Sequence, residues 1–236
     1  MASAAAIAEL GADVALVGRR GELAEKNAQF IARKFEVKAL PVVSDVSDHV
    51  SVKRMMDTVL QEFGRIDAVH SNAGIIMDDD NGDMPLSSWQ KMFDVNLTGT
   101  FLVNKAAAVW MRDNGVRGSI VNTSSICGHV VNYMPGRQMV AYTTTKAGII
   151  HLTKSMAMDF VDAGIRVNSV SPGYILSGIH DDMVSQDKLD EMIKDVPMKR
   201  FGTLDETGGI VAFLMTDLAS YITGADILVD GGYVVR

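Results

Sequence analysis

Apolar and polar positions along the chain keep two rhythms, and the two alternate. The longer is plainest in residues 50–63, where Val52, Met55, Met56, Val59, Leu60 and Phe63 fall on one face of a helix. The shorter appears in residues 14–17, 38–43, 66–70, 119–123, 166–170 and 227–229. These runs are rich in Val, Ile and Leu and bounded by Gly, Asn, Asp or Pro, the make-up of strands buried on both faces. Helical patterns fill the intervals, at 2–10, 22–34, 50–63, 85–111, 141–161, 182–194 and 206–215. Strand and helix in alternation predict an α/β fold: a doubly wound parallel sheet with helices on both faces and ligands at the carboxyl ends of its strands.

Composition narrows the class. A chain of 236 residues, 47% apolar, is expected to form one domain, 1–236, around a sizeable core. No apolar run approaches the ~18–20 residues of a membrane span, and the start lacks the basic region of a signal peptide. Cys127 is the single cysteine, which excludes an intramolecular disulfide and fits a reducing cytoplasm. A net charge of −7 argues against nucleic acid as partner. The five histidines show no metal-ligand spacing, and no Gly-x-Ser-x-Gly elbow of a hydrolase is present.

Candidate chemistry collects where strands end. Tyr142 and Lys146 lie four residues apart in the 141–161 helix, so their side chains share one face, one turn apart. An ammonium there favours the ionised form of a phenol, whose ordinary pKa is about 10. A phenol so tuned can act as general acid or base. The spacing alone equally fits a solvated helix surface. Ser125 reads either as a partner to that chemistry or as a plain strand-end hydroxyl, and Asn96 as a site residue or a mid-helix amide bonding its own backbone.

The order Asp45-Val46, Ser71-Asn72-Ala73-Gly74, Asn96, Ser125, Tyr142-x-x-x-Lys146, Ser171-Pro172-Gly173 and Asp230-Gly231-Gly232 resembles the short-chain dehydrogenases/reductases over nearly the whole chain. Residues 124–132, 167–175 and 223–233 are similar to the branch of NADP-dependent polyol dehydrogenases and ketose reductases. The resemblance implies a Rossmann-like doubly wound parallel sheet and an oxidoreductase moving hydride between NADP(H) and a ketose/polyol pair. It implies that Tyr142 protonates the carbonyl oxygen, Ser125 hydrogen-bonds it, and Asn96 anchors a water that relays protons to Lys146. Lys146 would hold the nicotinamide ribose and depress the Tyr142 pKa. Ser125, not Ser124, takes its role because it stands three before Gly128. Asp45 would accept from the adenine amino group and Val46 pack on the ring. Asn72, Ala73 and Gly74 would let the backbone approach the cofactor, and Ile175, past Pro172 and Gly173, would bind the carboxamide through its backbone.

Coenzyme choice turns on the end of the first strand read here. NAD-preferring members carry an acid at the position of Gly18; Arg19 and Arg20 follow it, with no carboxylate to repel a 2′-phosphate and two guanidiniums to pair with one. Arg19 is the expected phosphate ligand. The stretch between Ser125 and Tyr142 holds His129, Asn132, Tyr133, Arg137 and Gln138, suited to a hydroxyl-rich sugar or to a subunit interface. His129 and Asn132 are the substrate candidates. Residues 177–199 read as a lid whose acids either disfavour anionic substrates or form a solvated face. A 3-oxoacyl thioester or steroid ketone is the alternative substrate, and a non-catalytic nucleotide-binding scaffold the alternative of another class.

Two further expectations follow from the resemblance. The family opens with a strand and a glycine-rich turn, T-G-x-x-x-G-x-G, that holds the pyrophosphate, and Met1 stands where the helix after that turn begins. The chain is therefore expected to be truncated relative to the family, by a misassigned start or by residues upstream, leaving two unpaired strand edges. A homotetramer, with a dimer as fallback, is expected to pack through the 141–161 helix. Its stripe of Ile149, Leu152, Met156 and Phe160 fits a core or an interface.

Overall fold

The computed structural model describes residues 1–131, 139–176 and 186–236. Its first half runs α1 (Ala2–Glu9), β1 (Val14–Gly18), α2 (Gly21–Phe35), β2 (Ala39–Val43), α3 (His49–Phe63), β3 (Ala68–Ser71) and α4 (Leu86–Met92). A π-helical turn, Phe93–Thr98, joins α4 to α5 (Gly99–Asp113). Then follow β4 (Ser119–Thr123), α6 (Val140–Phe160), β5 (Arg166–Pro172), β6 (Ile175–Leu176), α7 (Gln186–Ile193), β7 (Gly202–Thr203), α8 (Leu204–Met215) and β8 (Asp226–Val229). The fold is α/β with parallel strands, as the alternating pattern requires. No described helix is long and apolar enough to cross a membrane.

The sheet is divided. Strand β1 pairs with β2, Val14 opposite Ala39, while β3, β4, β5 and β8 pair in that order, with Ala68 opposite Ser119 and Ser119 opposite Arg166. No ladder joins β1 to β3 among the described residues. The division shows in burial: β4 and β5 are buried almost throughout, whereas β1 and β3 are mostly half-buried. Among the described residues, β1 and β3 each pair with a neighbour on one side only.

Helices cover both faces. On one, Val52, Met55, Met56 and Val59 of α3 meet Val103, Ala107 and Met111 of α5 and Met156, Ala157 and Phe160 of α6 over Ile120 and Val167 of the sheet. On the other, α8 packs Val211 and Leu214 on Val121 and Val170, and α1 joins it through Ile7. Met156 and Phe160 thus belong to the core. Of the two readings of the α6 stripe, the core one holds for Met156 and Phe160, which pack against the sheet.

A polar seam crosses the first face. Ser71 Oγ donates to Asn104 Oδ1 at 2.7 Å, Asn104 Nδ2 to Asn122 Oδ1 at 2.8 Å, and Asn122 Nδ2 to Thr153 Oγ1 at 2.9 Å. Thr153 Oγ1 closes the seam on the Ile149 carbonyl at 2.8 Å. Asn104, Asn122 and Thr153 are fully buried, so each needs its partner.

The helix expected over 85–111 is interrupted in geometry as well as in sequence. Fully buried Asn96 occupies the π-helical turn, its Oδ1 accepting from the Ile75 amide at 2.7 Å and its Nδ2 donating to the Ile75 carbonyl at 2.9 Å. Thr100 Oγ1 also donates to the Asn96 carbonyl, at 2.7 Å. Gly99 follows because a Cβ there would stand 2.7 Å from Val46 Cγ2.

Candidate active site

The carboxyl ends of β3, β4 and β5 converge on the first turns of α6. Tyr142 and Lys146 do share a face, with Lys146 Nζ 5.5 Å from the Tyr142 ring centroid. The ammonium, however, donates to the Thr123 carbonyl at the end of β4, at 2.8 Å. Lys146 is 4% exposed, and burial lowers its pKa to about 8. Tyr142 is half-buried among Ile126, Cys127, Met139 and Tyr174. Burial, above all, pushes its phenol up to about 12, against the opposing effect of a hydrogen bond with Ser125. The expectation that Lys146 depresses the Tyr142 pKa is therefore corrected. Desolvation of the phenol outweighs a cation that is turned toward a carbonyl.

The two serines divide their work. Ser124 Oγ donates to the Lys146 carbonyl at 2.7 Å, fastening β4 to the helix. Ser125 Oγ accepts from the Cys127 amide at 3.1 Å, which leaves its O–H free to donate, and it stands near enough to Tyr142 to oppose the rise in the phenol's pKa. The short helical turn Ile126–Gly128 lies against α6 because Gly128 has no side chain: a Cβ there would be 2.9 Å from the Lys146 carbonyl carbon. Asn96 sits behind these groups, its Nδ2 also reaching Thr145 Oγ1 at 3.2 Å. Its side chain does not simply bond its own backbone; it holds Ile75, one residue past Gly74. A Cβ placed on Gly74 would be 3.7 Å from Lys146 Nζ.

Sequence reasoning missed His70 and Asp80. His70 Nε2 lies 2.8 Å from Thr123 Oγ1, and since Thr123 donates to Asn72 Oδ1 at 2.9 Å, the imidazole is the donor. Burial lowers the His70 pKa to about 4. The folded value lies below the unfolded one of about 6.5, so this contribution is whole above pH 6.5 and is lost as pH falls toward 4. We expect denaturant stability to drop by up to roughly 3 kcal/mol over that window, and by distinctly less in His70→Gln. Equal pH profiles for the two proteins would contradict it.

The cofactor candidates stand at the same sheet end. Arg19 and Arg20 are exposed after β1, Arg20 as the N-cap residue of α2. Asp45, after β2, is held below the usual carboxylate range, first by hydrogen bonds from the Ser47 hydroxyl and amide and then by the nearby charges of Lys91 and Arg19. Val46 packs against the α3–α5 cluster. Asn72, Ala73 and Gly74 are exposed at the end of β3. Beyond β5, Pro172 and Gly173 turn against Asp230, where a Cβ on Gly173 would be 2.8 Å from the Asp230 Cα, and Ile175 pairs with Gly202. Asp230 in turn accepts from the Gly232 and Val234 amides at 2.9 and 2.8 Å. A cation beside a carboxylate at one end and a buried ammonium beside an open backbone at the other fit an adenosine and a ribosyl group respectively. Among the described residues, no His, Cys, Asp and Glu cluster could hold a metal.

The substrate candidates fare differently. His129 Nε2 is 2.7 Å from Asp226 Oδ2, and Asp226 Oδ1 accepts from Ser169 and Ser171 of β5. The imidazole ties its loop to β8, a structural employment that spacing along the chain does not reveal. Asn132 lies outside the described residues, as do Tyr133, Arg137, Gln138 and much of the 177–199 segment.

A family profile described as "Enoyl-(Acyl carrier protein) reductase" matches residues 1–234. An NADP-dependent mannitol dehydrogenase of Hypocrea jecorina is 39% identical over 231 residues, 97% of this chain and 85% of that protein. The chain belongs to the short-chain dehydrogenases/reductases. A second family member, a 3-oxoacyl-(acyl-carrier-protein) reductase of Staphylococcus aureus, is 39% identical over 197 residues, 83% of this chain and 77% of that one. Among solved structures, a short-chain type dehydrogenase/reductase from Mycobacterium marinum superposes with a TM-score of 0.92 at 39% identity. It covers 100% of this chain and 91% of its own. The protein is thus an oxidoreductase of the short-chain type, a family that uses NAD(P)(H).

Proposed function

We propose that the protein interconverts a ketose and its polyol with NADP(H). The reading is supported by a Tyr142 phenol that burial keeps protonated, one helical turn from the buried Lys146 ammonium, whose Nζ lies 5.5 Å from its ring centroid. Bound NADPH supplies hydride to the carbonyl carbon. Tyr142 gives its proton to the carbonyl oxygen, and the Ser125 hydroxyl, its own oxygen held by the Cys127 amide, donates to that oxygen. Lys146, protonated below about pH 8, holds the ribose hydroxyls from its place beside Gly74. The mannitol dehydrogenase relative supports the polyol class, and the acyl-carrier-protein reductase relative supports a 3-oxoacyl thioester as the competing substrate.

Arg19 supports the coenzyme assignment, because it lies close enough to Asp45 to act on its carboxylate while remaining exposed to an incoming phosphate. NADPH oxidation with D-fructose, L-sorbose, L-xylulose and acetoacetyl thioester is the test. Turnover of a ketose above the thioester is expected, and a preference for the thioester overturns the substrate class. Arg19→Ala should cut the NADPH-over-NADH ratio of kcat/KM by about tenfold or more, the worth of a charged hydrogen bond. Equal kcat/KM for the two coenzymes in the parent protein ends the coenzyme claim.

A further inference from the structure

The entry to α6 lacks an anion of its own. Its N-cap residue is Met139, which offers no side-chain hydrogen bond, and the first turn holds no acid. Helix starts leave amides unpaired, and an aspartate or serine at the cap usually takes one or two of them. Here the acceptor comes from another part of the chain. Asp80, 2% exposed, receives the Ala141 amide on Oδ1 at 2.8 Å and the Tyr142 amide on Oδ2 at 3.0 Å. Both carboxylate oxygens are thus spent on the backbone of the residue that carries the phenol and on its neighbour.

The segment that delivers Asp80 is itself held. Asn96 grips both backbone groups of Ile75, and Asp79 Oδ2 accepts from the buried Ser88 hydroxyl of α4 at 2.6 Å. The Asp80 amide bonds the Met77 carbonyl at 3.3 Å and the Asp83 amide bonds Asn81 Oδ1 at 2.8 Å, so the turn is internally tied. One anchored loop therefore links the end of β3, where Gly74 adjoins Lys146, to the start of α6.

We propose that Asp80 is a positioning residue for the reaction: it fixes the Tyr142 main chain, and so the distance of the phenol from the Ser125 hydroxyl and the reacting oxygen. The inference rests on the reading of Tyr142 as the general acid. It differs from plain helix capping in what it predicts, because reacting groups displaced by about an ångström lose rate without losing ligand affinity.

The test uses the whole chain with NADPH and D-fructose or L-sorbose. Asp80→Ala should lower kcat roughly 30- to 100-fold while KM for NADPH stays within about threefold. Asp80→Asn keeps the shape and one acceptor oxygen, so it should recover most of the loss, to within about tenfold of the parent. Ser88→Ala loosens the same loop at Asp79 without touching α6 and should leave kcat within about twofold. Amide exchange at Ala141 and Tyr142 should quicken in Asp80→Ala and stay slow in Ser88→Ala. A kcat for Asp80→Ala equal to the parent, an Asp80→Asn that recovers none of the loss, or a loss in Ser88→Ala as large as in Asp80→Ala, overturns the inference. Tyr142→Phe separates the two claims. If it keeps turnover, the general-acid reading fails; if it does not while Asp80→Ala does, only the role of Asp80 fails.

Discussion

Tyr142→Phe should reduce turnover by about 10²–10⁴-fold, the usual contribution of a positioned acid or base, while NADPH binds as in the parent. The variant removes one oxygen from a ring that otherwise packs among Ile126, Cys127, Met139 and Tyr174, so the cluster keeps its shape. What it loses is the proton. Burial pushes the phenol up to about 12, so it is fully protonated at neutral pH and ready to act in the reductive direction. Oxidation needs the opposite form, and the positive nicotinamide of NADP⁺ is the charge that would have to bring the value down. Reduction should therefore show no pH limb from Tyr142 below about pH 10, and oxidation should climb with pH. Residual reduction above about a hundredth of the parent rate, measured with saturating NADPH, would contradict the assignment.

Lys146 supplies the second large effect. Its Nζ is a buried cation with a pKa near 8, so kcat/KM for NADPH should be flat below about pH 7 and fall above pH 8 as the ammonium is lost. The sign follows from burial: desolvation disfavours the charged form, and alkali removes the charge that holds the ribose. Lys146→Met should cost roughly 10²–10⁴-fold in kcat/KM, the worth of two charged hydrogen bonds. Lys146→Arg should carry no limb at all up to pH 10, because a guanidinium keeps its proton. A limb at the same pH in Lys146→Arg would assign it to another group.

The local rhythm of the chain made most of the fold legible. The α3 face of Val52, Met55, Met56 and Val59 is buried as its spacing requires, because a three-and-four repeat can be shielded in only one way. Strand ends were legible for the same reason, and they bring Ser125, Tyr142 and Lys146 together. Four-residue spacing placed Lys146 near Tyr142 but could not show that Thr123, 23 positions upstream, would take the ammonium. Asn96 bonds Ile75 across 21 positions, Asp80 meets Tyr142 across 62, and His129 meets Asp226 across 97. Partnerships of single polar groups at such distances have no period. Three consecutive acids, Asp78-Asp79-Asp80, look like any solvated turn. That Met139 caps α6 without a side-chain hydrogen bond, and so calls for an acceptor from elsewhere, is visible only once the helix start is fixed by the fold.

The seam of Ser71, Asn104, Asn122 and Thr153 has a direction: every hydrogen runs from β3 through α5 and β4 toward α6. Amide orientation is therefore set collectively, since turning one asparagine over would face donor to donor on one side and acceptor to acceptor on the other. An apolar face tolerates a helix that slides by a turn, because one methyl serves about as well as another. This seam does not, because a slipped α5 or α6 would strand a buried amide at about 1–3 kcal/mol each. It works as a register code laid between helices, one that can be rewritten only in blocks: replacing any single letter leaves its neighbours unread, whereas changing all four to apolar residues of similar size would silence the code and permit packings that the native chain forbids.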